Sequence, residues 1–106
     1  MELTKDAKKV LYVLYKEYLQ RIKSGIARTE AKSFDPDILC QDLFSEYTSD
    51  DVNDFLCELG SAGYLDNFFG DGIVQYTTLT NFSIIEMENR FKNGLNDVID
   101  FIAKFL

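Results

Sequence analysis

The sequence contains no histidine and no tryptophan, and it has only one proline and two cysteines. Because histidine is absent, the chain lacks the commonest general base and one partner of the Ser-His and Cys-His nucleophile pairs. Carboxylate-based chemistry is not excluded, but no nucleophile, base and oxyanion donor can be named together. We therefore predict that the chain is not an enzyme and has neither a catalytic residue nor a cofactor.

The two cysteines, Cys40 and Cys57, both lie in segments that favour helix. They form no CxxC motif, and no histidine is present to complete a zinc site. We interpret both as reduced structural thiols and predict no metal site. A reactive or bridging pair is the alternative.

Long apolar runs are also absent, since no segment approaches the roughly 18 to 20 apolar residues of a membrane span. The N-terminus, MELTKDAKK, does not have the pattern of a secretory signal. We expect a cytoplasmic protein with no membrane contact. At 106 residues, of which 46% are hydrophobic, the chain predicts one domain over residues 1–106.

Start and stop signals predict a mainly α protein with one β-hairpin, an α+β fold. Each of four helices begins at a capping residue: Thr4, Asp35 followed by Pro36, Thr48 or Thr80. Asp71-Gly72 tolerates positive φ and predicts the tight turn between two strands, YLDNFF and IVQYTTLT. The predicted order is a helix over 4–23, a short helix over 36–45, a helix over 49–62, a two-stranded hairpin, a helix over 81–91 and a C-terminal helical extension over 95–106.

This order resembles the winged-helix arrangement, and LCELGSAGYLDNFFGDGIVQYTTLTNFSIIEMEN carries the resemblance. In it a helix ends in glycine, GYL begins the wing, and an LT dipeptide leads into the next helix. The chain is similar to small winged-helix proteins of Gram-positive bacteria and their phages, such as the YjcQ family. The resemblance covers roughly residues 36 to 90 and implies a helix-turn-helix regulator whose third helix enters the major groove of DNA.

The charge distribution opposes that use of the third helix. Residues 1–32 hold eight basic and four acidic residues, net +4, whereas residues 33–106 hold three basic and fourteen acidic residues, net −11. Asp50, Asp54 and Glu58 share one stripe of the third predicted helix. A phosphate about 4 Å from a carboxylate is repelled by roughly 1 kcal/mol in water-like surroundings. We therefore expect no DNA binding through this helix and wing. The stripe is either a solvated face or a docking face for a basic, unknown protein partner.

The basic N-terminal third offers a different nucleic-acid surface. Lys9, Lys16 and Lys23 repeat every seven residues along one strip of the first helix, and Arg28 and Lys32 follow. Solvated lysines beside an apolar helix are ordinary, so the alternatives are a solvated strip and a contact with an anionic partner. The anion would be nucleic acid or the acidic face of a second copy.

The first and the last predicted helices have apolar residues around more of their circumference than a single core-facing stripe requires. We predict that the excess surface forms a homodimer, with Phe101, Phe105 and Leu106 as the candidate dimer surface. The aromatic residues Tyr12, Tyr15, Tyr18, Phe68 and Phe69 are interpreted as core or interface residues, not as base-stacking platforms. The expected function is a non-catalytic winged-helix regulatory and interaction module. The alternative is a transcriptional regulator that contacts DNA through its basic N-terminal third.

Overall fold

The computed structural model describes residues 2–105, apart from the side chain of Phe105. Within that part the chain forms six helices and one three-stranded antiparallel sheet, which confirms the α+β class. In chain order the elements are α1 (Lys5–Lys23), α2 (Arg28–Ala31), β1 (Ser33–Phe34), α3 (Pro36–Asp42), α4 (Ser49–Ser61), β2 (Leu65–Gly70), β3 (Ile73–Leu79), α5 (Asn81–Arg90) and α6 (Leu95–Phe105).

The helix starts follow the sequence signals. The side chains of Thr4, Asp35 and Thr48 each accept a hydrogen bond from a backbone N–H two or three residues later. Thr80 does the same at the start of α5. These caps satisfy N–H groups that the first helical turn leaves without a partner, and they confirm the predicted starts.

The hairpin turn is also confirmed. Gly70 pairs with Ile73, so only Asp71 and Gly72 form the loop, with φ of 53° and 75°. Two successive positive φ values match the right-handed twist of the flanking strands, which is why Asp-Gly occupies this position.

The prediction of a two-stranded hairpin was wrong in strand number. Ser33 and Phe34, which lie between the predicted helices over 4–23 and 36–45, form a third strand that pairs with Thr78 and Thr77 of β3. Two residues are too few for the period-2 pattern that marks a strand. The strand forms because of tertiary contacts: the Phe34 ring is buried, and the Lys32 carbonyl accepts a 2.8 Å hydrogen bond from Leu79 N–H.

The short helix α3 ends at Asp42, three residues before the predicted end. Phe44 N–H donates to the carbonyl of Leu39, and the Phe44 side chain is fully buried. Burial of this ring turns the chain inward, so the regular helix stops before it.

The wide apolar arc of α1 is filled within the chain. Helices α2, α4 and α6 all pack against α1. Its buried side chains include the three tyrosines that the sequence placed in the core or an interface, Tyr12, Tyr15 and Tyr18. In the described residues, no helix is both long and apolar enough to cross a membrane.

Candidate interaction surface

The acidic stripe of α4 is divided by the fold. Asp50 and Asp54 are exposed. Glu58 instead turns to α1, where its carboxylate accepts hydrogen bonds from Thr4 N–H at 2.6 Å and from the Thr4 hydroxyl at 2.8 Å. Only the first two residues of the predicted stripe are therefore available to a partner, and Asp51 lies exposed beside them.

The hairpin presents an apolar surface that includes Phe68 and Phe69, which the sequence analysis interpreted as core or interface residues. We call Phe68, Phe69, Ile73 and Tyr76 the hairpin surface; their exposed fractions are 70%, 51%, 54% and 46%. Phe68 pairs with Tyr76 across the two strands. A sheet packed on one face leaves its other face to solvent, and the adjacent Phe68-Phe69 pair in one strand was the signal that at least one ring would lie outside.

A groove of about 320 Å³ runs between α4 and β2. Its lining includes the small residues Gly60 and Ser61 of α4, and Phe69 of β2. At its base the Asn67 amide nitrogen donates to the Leu56 carbonyl at 2.8 Å, and its oxygen accepts from the Thr77 hydroxyl at 2.7 Å. This side chain fixes the sheet on α4 and so determines the width of the groove.

The basic N-terminal residues differ in the contacts that they make within the chain. Lys9 forms a 3.1 Å salt bridge with Glu46 and lies over the Tyr47 ring. Burial lowers the pKa of Lys9, but its hydrogen bond to Glu46 and the nearby Tyr47 outweigh burial, so the net direction is upward. Lys9 is thus engaged within the chain. Arg28 is exposed, and its Nε donates to the Tyr18 hydroxyl at 3.3 Å.

The remaining basic candidates differ in exposure. Lys23 is exposed at the end of α1, whereas Lys16 and Lys32 are partly buried. Arg21, which lies between them in sequence, is structural: its Nη1 donates to the Ser33 carbonyl at 2.8 Å and its guanidinium covers the Phe34 ring. A nucleic-acid surface in this region would consist mainly of Lys23 and Arg28.

The candidate dimer surface on α6 is partly used inside the chain. Phe101 is half-buried, with its ring centroid 5.0 Å from that of Tyr12 and 5.4 Å from that of Phe91. Ile99, on the same helix, is 41% exposed. Leu106 and the side chain of Phe105 lie outside the described residues.

Both cysteines are free thiols of intermediate exposure. Burial raises the pKa of Cys40 and of Cys57, and the neighbouring carboxylates Asp37 and Asp54 raise each further. A raised pKa lowers the thiolate fraction and with it the reactivity of a thiol. Within residues 2–105, no group of three metal-ligating side chains is placed to hold an ion.

No protein-family model, curated protein or solved structure matches the chain. The winged-helix resemblance therefore stays a prediction from the residues and the order of the elements.

Proposed function

We propose that the chain is a non-catalytic regulatory module of the winged-helix type that acts through protein-protein contacts as a homodimer. The observation that carries this proposal is the hairpin surface, four large apolar side chains about half exposed or more on one 15-residue hairpin. Exposed apolar side chains that scatter singly over a surface are ordinary, whereas several on one short element favour a contact with a partner.

Charge favours a protein partner over DNA at this surface. No lysine or arginine occurs between residues 33 and 89, which include α4 and the whole hairpin. Non-specific DNA affinity comes from basic side chains that neutralise phosphates and release counterions. A partner protein needs no such charge, and apolar side chains contribute directly to its binding.

The homodimer is assigned to α6, where Ile99 is 41% exposed. Light scattering tests it: we expect a dimer for the natural chain and a folded monomer for Ile99→Asp. Ile85→Asp, at a 56% exposed position on α5, is the matched control and should stay dimeric. A monomeric natural chain, or an Ile99→Asp variant that remains dimeric, would remove this assignment.

The DNA-binding alternative depends on the exposed Lys23 and Arg28 near the end of α1. It is tested by titrating a random duplex at low and at near-physiological salt. The interaction module predicts no measurable binding at either salt. Binding that weakens steeply with salt, and that is lost in the Lys23→Glu/Arg28→Glu double variant, would establish the alternative instead.

A further inference from the structure

The outer edge of β2 has no strand beside it in the described residues. The strand order is β1-β3-β2, so β3 is central and β2 lies at the edge along its whole length. Exposed edges present unpaired backbone groups and are templates for another strand.

The pairing pattern identifies which backbone groups face outward. Thr80 N–H donates to the Tyr64 carbonyl, so this pair is hydrogen-bonded across the hairpin. In an antiparallel ladder hydrogen-bonded and non-hydrogen-bonded positions alternate. The backbone N–H and C=O groups of Asp66 and Phe68 therefore hydrogen-bond to β3. The same groups of Leu65, Asn67 and Phe69 point to the free edge.

The outer edge of β2 is regular from Asn67 to Gly70. The register changes between Phe68, which pairs with Tyr76, and Phe69, which pairs with Val74. The extra residue, Gln75, thus lies on the central strand β3, and β2 itself contains no bulge. A bulge in an edge strand is one device that prevents pairing, and this edge lacks it. Leu65 is less available, because its carbonyl lies beside Gly60 of α4.

The groove next to this edge accepts side chains of an added strand. Successive residues of a strand point to opposite faces. One set would enter the 320 Å³ groove over Gly60 and Ser61, and the other set would lie beside Phe68 on the outer face. The groove is large enough for one or two aliphatic side chains.

The charges around the edge determine what kind of strand fits. Asp66 and Asp71 flank the free backbone groups, and Asp54 lies one turn of α4 before Cys57, which lines the groove. All three aspartates are exposed, and none forms a salt bridge in the part of the chain that the structure describes. A second copy of the hairpin would bring its own Asp66 and Asp71 and no basic residue.

We infer that the β2 edge binds an extended segment of a partner protein in which apolar residues alternate with lysine or arginine. The segment adds a fourth strand to the sheet, its backbone pairs with Asn67 and Phe69, and its cations lie on the outer face beside Asp66 and Asp71. This inference rests on the proposed function and specifies the partner chemistry of that function. It is a strand-addition mode of recognition, in which main-chain hydrogen bonds provide affinity and alternate side chains provide specificity.

The test uses the full chain and a capped nine-residue peptide of alternating valine and lysine. We expect saturable binding, and at least tenfold slower hydrogen exchange at the Asn67 and Phe69 amides in the bound state. A peptide with glutamate in place of lysine should bind at least tenfold more weakly. A peptide N-methylated at alternate residues should also bind at least tenfold more weakly, because it lacks the backbone N–H donors along one of its edges.

Two charge-reversal variants locate the site. Asp66→Lys should weaken peptide binding at least tenfold, whereas Glu88→Lys, the same charge change at an exposed position of α5, should leave it unchanged. Urea unfolding of both variants confirms that they are folded. The inference is overturned by absence of binding, by equal binding of the N-methylated peptide, or by an Asp66→Lys variant that binds normally.

Binding of a second copy of the chain at this edge would give a different result in the hydrogen-exchange experiment. Protection of the Asn67 and Phe69 amides that rises with protein concentration, without peptide, would show self-pairing of β2 and would overturn the inference. The proposed function fails separately, through the duplex titration and the Ile99→Asp experiment. A chain that is dimeric through α6, ignores DNA and does not bind the peptide would refute this inference alone.

Discussion

Glu58 near the end of α4 and Thr4 before the start of α1 are joined by two hydrogen bonds, 2.6 Å from the Thr4 N–H and 2.8 Å from its hydroxyl. The Thr4 oxygen in turn accepts a hydrogen bond from Ala7 N–H at 3.3 Å. A carboxylate that the sequence placed on an exposed stripe of α4 therefore fixes the first turn of another helix, where negative charge is also favoured by the helix dipole.

Thr4→Ala should lower the free energy of unfolding by about 1 to 2 kcal/mol, because it removes a helix cap and a partner of Glu58. Glu58→Gln should cost about 1 kcal/mol, since the amide cannot accept both hydrogen bonds. The double variant should cost little more than Thr4→Ala alone. Urea unfolding measures all three, with the exposed Asp54→Asn as a control within about 0.5 kcal/mol of the natural chain. Fully additive losses would contradict the coupling.

Gly60→Ala should be destabilising although alanine favours helix. A Cβ at Gly60 would lie 2.5 Å from the Asn67 amide nitrogen, which already donates to Leu56. The alanine gains up to about 1 kcal/mol in helix propensity. Displacing Asn67 breaks two partly buried hydrogen bonds, at about 1 kcal/mol each, and leaves their partners unpaired.

The net loss for Gly60→Ala should be about 1 to 2 kcal/mol by urea unfolding. Ser61→Ala, at the next and exposed position of α4, is the matched control and should change stability by less than about 0.5 kcal/mol. A stabilised Gly60→Ala variant would show that Asn67 does not fix the sheet on α4.

Arg21→Lys should destabilise the chain by about 1 to 2 kcal/mol, because lysine keeps the charge but cannot provide the planar guanidinium. That group covers the Phe34 ring with its carbon 4.5 Å from the ring centroid, and it donates to the Ser33 carbonyl. Thermal unfolding measures the loss. Lys23→Ala, which removes an exposed cation from the same helix, should have the same melting temperature as the natural chain.

Stability should fall in strong alkali through Tyr15. Burial, with smaller effects from Glu88 and Tyr18, raises the pKa of Tyr15 from its ordinary value to about 12. A tyrosine whose pKa is raised on folding contributes stability that is complete below its unfolded pKa, near 10, and is lost as the pH rises toward 12. A shift of about two pKa units corresponds to a full loss of about 3 kcal/mol, of which about half has developed at pH 11.

Urea midpoints at pH 8 and pH 11 measure this effect, with Tyr15→Phe as the comparison. The Tyr15→Phe variant cannot ionise at this position, so its midpoint should fall less between the two pH values. An equal fall in both proteins would assign the alkaline loss to other groups, among them Tyr47 and Tyr64, whose pKa values burial also raises.

The candidate site was predicted in part. The exposed positions of Asp50 and Asp54 follow from the helical period, which a sequence displays directly. The outward position of Phe68 does not, since both strands of the hairpin are rich in apolar residues and alternation alone does not say which face packs on α4. The groove beside β2 depends on Gly60 and Asn67, which are seven residues apart and meet only because the chain reverses at Gly63.

The sequence by itself determined the helix starts, the Asp71-Gly72 turn and the separation of charge, because capping, positive φ and net charge depend on residues close together in the chain. Tertiary structure alone decided that Ser33 and Phe34 form a strand, that the Glu58 carboxylate accepts hydrogen bonds from Thr4, and that β2 lies at an unpaired edge of the sheet. Each of these depends on contacts between residues distant in sequence, and such contacts exist only once the core formed by α1, α4 and the sheet has brought them together.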